Sequence, residues 1–333
     1  PLAVRQQVFT RQFDSRATAN TLLLEAIVRY FELLAAEARL EAIGQSEREL
    51  GEIVRIAEHF TRTGVGRPSD LDRAEAEAYL MHLQAQQAEE RVALASARLA
   101  ALLSLDTAVR LKTTQGPIPG LEIVDTSVGL QALLRIAERR RPELAAGTAT
   151  IQHAVTRVRQ EKTRPLFPLV MLGYSSSSYG GGGVLFPPQL SNFRGRQDFD
   201  VMALWTLQNM GMGNVATVSE RRSMLNQAIA ERTRTLNDVR QQVVAAYGLV
   251  QGERTQIQIT QRQTSDAEQG FREELERLFG ADALPIEVLN SVKQLAMVRQ
   301  ELIEAVTGYN KAQFRLYVAI GYSPVRAVNA PKE

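Results

Sequence analysis

The sequence predicts a mainly α chain, built from two tandem long helical hairpins with a short pair of β-strands between them. Three observations carry that prediction. Residues 30–105 register over residues 247–322 without a gap at a shift of 217: Tyr30 meets Tyr247, Pro68 meets Pro285, Ala88 meets Ala305, Ala95 meets Ala312 and Arg98-Leu99 meets Arg315-Leu316. Each copy returns along a heptad seam. In the first copy the seam is Leu71, Ala74, Ala78, Met81, Ala85, Ala88, Val92, Ala95, Leu99 and Leu102. In the second it is Val288, Ser291, Leu295, Val298, Leu302, Ala305, Tyr309, Ala312, Leu316 and Ala319. The third observation is a change of texture at Arg164, where helical periodicity gives way to a β-prone apolar run.

Residues 1–14 mix Val4, Val8 and Phe9 with polar neighbours and read as a strand remnant, a partial strand. Residues 15–105 form the first hairpin. Its outgoing helix, to about Arg62, carries Leu33, Ala36, Leu40, Ile43, Glu47, Leu50, Val54 and Ala57 on heptad spacing, which makes its own return limb the natural partner. At 1.5 Å per residue that helix runs on the order of 70 Å. Gly64-Val65-Gly66-Arg67-Pro68 breaks it, so the tip lies near 63–70, with Ser69 expected as the N-cap of the return.

Residues 106–163 form a connector, opened by the breaker cluster Gln115-Gly116-Pro117-Ile118-Pro119-Gly120 and followed by helices near 127–139 and 142–162. Residues 164–212 supply two strands of roughly 10 residues, the size of a tilted membrane-barrel strand. The first runs from Leu166 to Tyr174 and the second from Phe199 to Leu207, with a Ser/Gly-rich loop between them. Leu169 and Leu204 are expected to face lipid. Residues 213–321 repeat the hairpin with a tip near 279–288, and residues 322–333 are a tail. The outgoing stretch 251–264 is polar nearly all round, as befits a wall of an aqueous channel or a solvent-facing helix.

Composition narrows the function classes. Thirty-nine Lys+Arg against 37 Asp+Glu leave a net charge of +2, and no basic run exceeds Arg139-Arg140-Arg141, so nucleic acid is not an expected partner. The absence of cysteine rules out disulfide frameworks and thiol-rich metal sites. His59, His82 and His153 lack metal-ligand spacing, and Gly180–Gly183 is followed by no Lys-Ser or Lys-Thr, so neither a metal nor a nucleotide cofactor is expected. No nucleophile, base and orienting group cluster, which argues against an enzyme. The chain starts at Pro1 without a signal peptide and reads as a piece of something longer.

Two long hairpins in tandem, each preceded by strand-like sequence, resemble the TolC family of outer-membrane efflux proteins over nearly the whole chain. Thr63-Gly64-Val65-Gly66-Arg67-Pro68-Ser69-Asp70-Leu71 is similar to the family's hairpin tip. Arg141-Pro142-Glu143-Leu144 with Pro165 resembles its connector, and Ala319-Ile320-Gly321 resembles the end of its last helix. The second tip, Phe279 to Val288, departs from the pattern: its Gly is one place out of register, and it has Glu where the family has Asp.

The resemblance implies a bacterial outer-membrane channel extending into the periplasm, with no chemistry of its own. Its hairpins would form an α-barrel, and its short strands would contribute to a trimeric membrane β-barrel set in outer-membrane lipid. It implies a homotrimer served by a periplasmic adaptor (membrane fusion) protein and an inner-membrane pump. Gly64, Val65, Gly66 and Asp70 would be the adaptor-docking tip, and Asp282 and Glu287 would line the periplasmic mouth. A first helix, a further strand and any lipid-bearing N-terminal segment would lie before Pro1. The rival is a soluble periplasmic coiled-coil scaffold or adaptor.

Overall fold

The computed structural model describes residues 2–113, 119–125, 127–182, 190–206, 208–280 and 285–328. The elements in order are α1 (Leu2–Thr63), α2 (Pro68–Leu102), α3 (Leu130–Arg140), α4 (Pro142–Thr163), β1 (Leu169–Gly182), β2 (Leu190–Leu204), α5 (Met212–Phe279), α6 (Pro285–Ala319) and α7 (Pro324–Val328). The chain divides into two compact units, one of Pro1–Phe13 with Ala145–Thr235, the other of Asp14–Leu144 with Leu236–Glu333.

The first unit corrects the reading of residues 1–14. They are the start of α1. Val4 and Val8 are four apart, a helical spacing, and no turn residue separates them from the long helix that follows. Tertiary contact holds this end: Ala3 is buried, its carbonyl lies 2.8 Å from Nδ1 of His153 on α4, and the Thr10 and Thr150 hydroxyls meet at 3.4 Å.

The unit's sheet is a two-stranded antiparallel ribbon of 14 and 15 residues, longer than the sequence implies. Pairing runs from Leu169↔Leu204 to Tyr179↔Arg194 and, past an irregularity, to Gly182↔Leu190, so most of the stretch read as loop is strand. Backbone ladder bonds form whatever the side chains, and a run of serines satisfies them as well as a run of valines.

Among the described residues the second unit holds three apolar clusters. One joins four helices: Ile43, Leu50 and Ile53 of α1, Met81 and Ala85 of α2, Phe271 and Leu278 of α5, and Val288, Val292 and Leu295 of α6. The second packs Leu133, Ala137 and Leu144 with Val239, Val243, Tyr309 and Leu316, and the third sets Phe31 and Leu34 on Phe314. Helices α2 and α6 are each 35 residues long and begin on the repeat-equivalent prolines Pro68 and Pro285. The N-cap of α2 is Arg67, in extended geometry, and not Ser69. Proline is preorganised for the first helical position, which places the cap one residue before it.

Candidate functional site

The ribbon is amphipathic in a way only its register reveals. Directly opposed residues share a face, and successive pairs alternate. One face presents Val170 with Ala203, Leu172 with Val201, Tyr174 with Phe199 and Ser176 with Gln197. The other presents Leu169 with Leu204, Met171 with Met202, Gly173 with Asp200, Ser175 with Asp198, Ser177 with Arg196 and Tyr179 with Arg194. Asp198 and Arg196 form an ion pair at 2.8 Å. Leu169 and Leu204 therefore stand on the face that also carries Asp198, Asp200, Arg194 and Arg196. Leu172, Tyr174, Phe199 and Val201 are each more than 60% exposed, so among the described residues nothing covers the apolar face. Among the described residues no helix is long and apolar enough to cross a membrane.

The first tip is a tight reversal. Gly64 takes φ 76, and the N–H groups of Val65 and Gly66 both donate to the Phe60 carbonyl, at 3.0 and 2.9 Å. A Cβ on Gly66 would lie 2.9 Å from that of Phe60, so only glycine lets the chain close over the helix end. Val65 projects outward at 69% exposed, whereas Asp70 is buried in the first turn of α2. At the second tip Asp282 lies outside the described residues. Glu287 is exposed in the first turn of α6. Glu274, which accepts a hydrogen bond from the Ser291 hydroxyl, titrates above its ordinary value, first through partial burial and then through repulsion from Glu287.

A third feature escaped sequence reading. The connector is held by buried polar side chains of the two return helices. Ser96 accepts from the Leu111 N–H at 2.8 Å. Gln313 accepts from the Val124 N–H at 2.9 Å, while Asn310 accepts from the Leu121 N–H at 2.8 Å and donates to the Pro119 carbonyl. Ser96 and Gln313 are repeat equivalents. Both lie one place off the heptad seam, where a polar residue looks like surface until the connector is folded over it.

Charged groups tie the hairpins together. Arg299 makes a two-pronged ion pair with Glu49 at 2.9 and 3.1 Å, Lys293 meets Glu77 at 2.7 Å, and Arg39 pairs with Glu304. Burial lowers the pKa of Lys311 and of Arg39 and raises that of Glu253, whose carboxylate fills the space a side chain at Gly308 would need.

Comparison with solved structures places this arrangement. The chain superposes on the transmembrane-channel-forming CusC with TM-score 0.80 at 19% identity, covering 96% of this chain and 72% of CusC. It superposes on the outer membrane protein VceC of Vibrio cholerae with TM-score 0.74 at 18% identity, covering 96% and 74%. For the open state of the MtrE outer membrane channel of Neisseria gonorrhoeae the TM-score is 0.76 at 16% identity, covering 97% and 71%. The chain has the TolC-family outer-membrane channel fold.

No protein-family model matches the sequence, and no curated protein matches it. The described ribbon does not close a barrel by itself. Two strands leave two unpaired edges, which only further strands remove.

Proposed function

We propose that the chain is the outer-membrane channel component of a tripartite efflux or type I secretion system, a passive duct assembled as a homotrimer in the bacterial outer membrane. The observation that carries this is the ribbon's uncovered apolar face. A soluble scaffold would leave Val170, Leu172, Tyr174, Phe199 and Val201 in water, whereas a closed barrel puts them against lipid and turns Asp198 and Asp200 to the lumen. Joining the ribbons of three copies also removes the edges.

The helices support the same assembly. Leu80, Leu83 and Leu94 form an exposed stripe on α2 opposite its buried seam, and Val244, Leu249 and Ile259 are exposed on α5. In the ring, α2 of one protomer meets α5 of the next, a head-to-tail contact that closes after three copies. The tip at Gly64, Val65 and Gly66, with Asp70 buried behind it in the first turn of α2, docks the periplasmic adaptor, which couples the duct to an inner-membrane pump. Asp282 and Glu287 face the periplasmic mouth.

The test is charge insertion on opposite faces. An arginine on the lipid side of a barrel costs about 2–4 kcal/mol near the midplane. Leu172→Arg and Val201→Arg should abolish trimer recovery from outer-membrane fractions, while Ser175→Arg should leave it intact. Normal trimers for both apolar-face variants would sink the membrane assignment.

A further inference from the structure

Within the channel reading, on which this inference rests, the ribbon's charged face lines the barrel lumen, and its charges come in a definite order. Starting from the strand ends joined to α4 and α5, the pairs are Leu169/Leu204, Met171/Met202, Gly173/Asp200, Ser175/Asp198, Ser177/Arg196 and Tyr179/Arg194. The two middle charges cancel locally, because the Arg196 guanidinium sits on the Asp198 carboxylate at 2.8 Å. Asp200 and Arg194 have no ion pair or side-chain hydrogen bond among the described residues. Opposite Asp200 stands Gly173, which offers no side chain, and a Cβ built there would touch Asp200 only at ordinary contact distance, 3.6 Å.

We propose that the barrel lumen carries two separate rings of fixed charge, an inner anionic ring from Asp200 and an outer cationic ring from Arg194, and that this axial order makes conduction rectify. Six residues separate the two positions, about 20 Å along a strand and about 14 Å along the axis at a tilt near 45°. The screening length is about 10 Å at 0.1 M salt and about 3 Å at 1 M. At low salt each ring therefore acts on ions passing it without being cancelled by the other. The inner ring concentrates cations and the outer ring anions, so current depends on the direction in which a charged solute enters.

The experiment inserts the trimer into planar bilayers from one side and records current–voltage curves and reversal potentials under a KCl gradient. The wild-type curve should be asymmetric at 0.1 M and symmetric at 1 M. Asp200→Asn should shift the reversal potential toward anion preference and Arg194→Gln toward cation preference, each with loss of rectification. Gly173→Asp, which doubles the inner charge at a site with room for it, should move the potential opposite to Asp200→Asn. Conducting pores whose reversal potential is the same in all four proteins would overturn the two-ring proposal and leave the channel standing. A wild-type protein that forms no conducting pore would overturn the channel reading and the proposal with it.

Discussion

The two helical hairpins share one register and differ in what surrounds them. Both return helices end with the same pair of backbone bonds: Ser104 N–H to the Ala101 carbonyl and Leu105 N–H to Ala100, then Gly321 N–H to Val318 and Tyr322 N–H to Tyr317. Each therefore closes with a left-handed residue, Ser104 at φ 57 and Gly321 at φ 91. A Cβ on Gly321 would lie 2.8 Å from the Arg140 carbonyl carbon, because α3 ends against the second hairpin, where the Arg141 guanidinium also donates to the Val318 carbonyl. The first hairpin tolerates a serine at the equivalent position. An inherited backbone motif thus specifies the conformation, and the neighbour decides whether a side chain is allowed.

The outgoing limbs diverge similarly. Residues Leu33 to Ala36 and Ile43 of α1 are buried, whereas the second hairpin's polar stretch 251–264 is mostly exposed, Thr264 excepted. Covered and open limbs are exchanged between the copies: α1 and α6 are the buried pair, and α2 and α5 carry open flanks.

The sharpest way to break the comparison is Gly321→Ala. Left-handed strain plus a clash with backbone should destabilise the helical unit by about 3 kcal/mol, read as a lowered thermal midpoint by circular dichroism. An unchanged midpoint would refute the crowding argument. Gln313→Leu should cost about 2 kcal/mol, since it leaves the buried Val124 N–H without an acceptor. The equivalent Ser96→Ala should cost about half as much, because Leu111 is only half-buried and water can replace the hydroxyl. Equal losses would show that the two clasps are alike after all.

Ser104→Gly should work in the opposite sense, stabilising by about 0.5 kcal/mol as relief of left-handed strain outweighs the added chain entropy. A decrease in midpoint would mean the serine makes a contact that matters. The smallest effect belongs to Glu253 and concerns pH. Its raised folded-state pKa means that its contribution to stability is full below the unfolded glutamate value and is lost as pH rises through the folded value. Glu253→Gln should therefore gain on the wild type as pH climbs from 4 to 7, by a small margin because the group is only partly buried. A midpoint difference that stays constant with pH would exclude this carboxyl.

The sequence by itself determined the repeat, the seams, the proline-led return helices and the glycine tip. Each is written in local spacing or in a residue whose backbone has few options, as with Pro68, Pro285 and Gly64. The opening segment differs from its strand reading because the i, i+4 spacing of Val4 and Val8 and the unbroken run into the long helix outweigh the β-prone residues, and the contact to His153 holds that end in place. Tertiary structure alone decided the ribbon's faces: a slip of one residue would exchange Leu172 for Leu169, and nothing in a run of consecutive apolar residues fixes that parity. It alone gave Ser96 and Gln313 their work, because a polar side chain acquires a structural role only when a distant stretch of backbone arrives to be bonded.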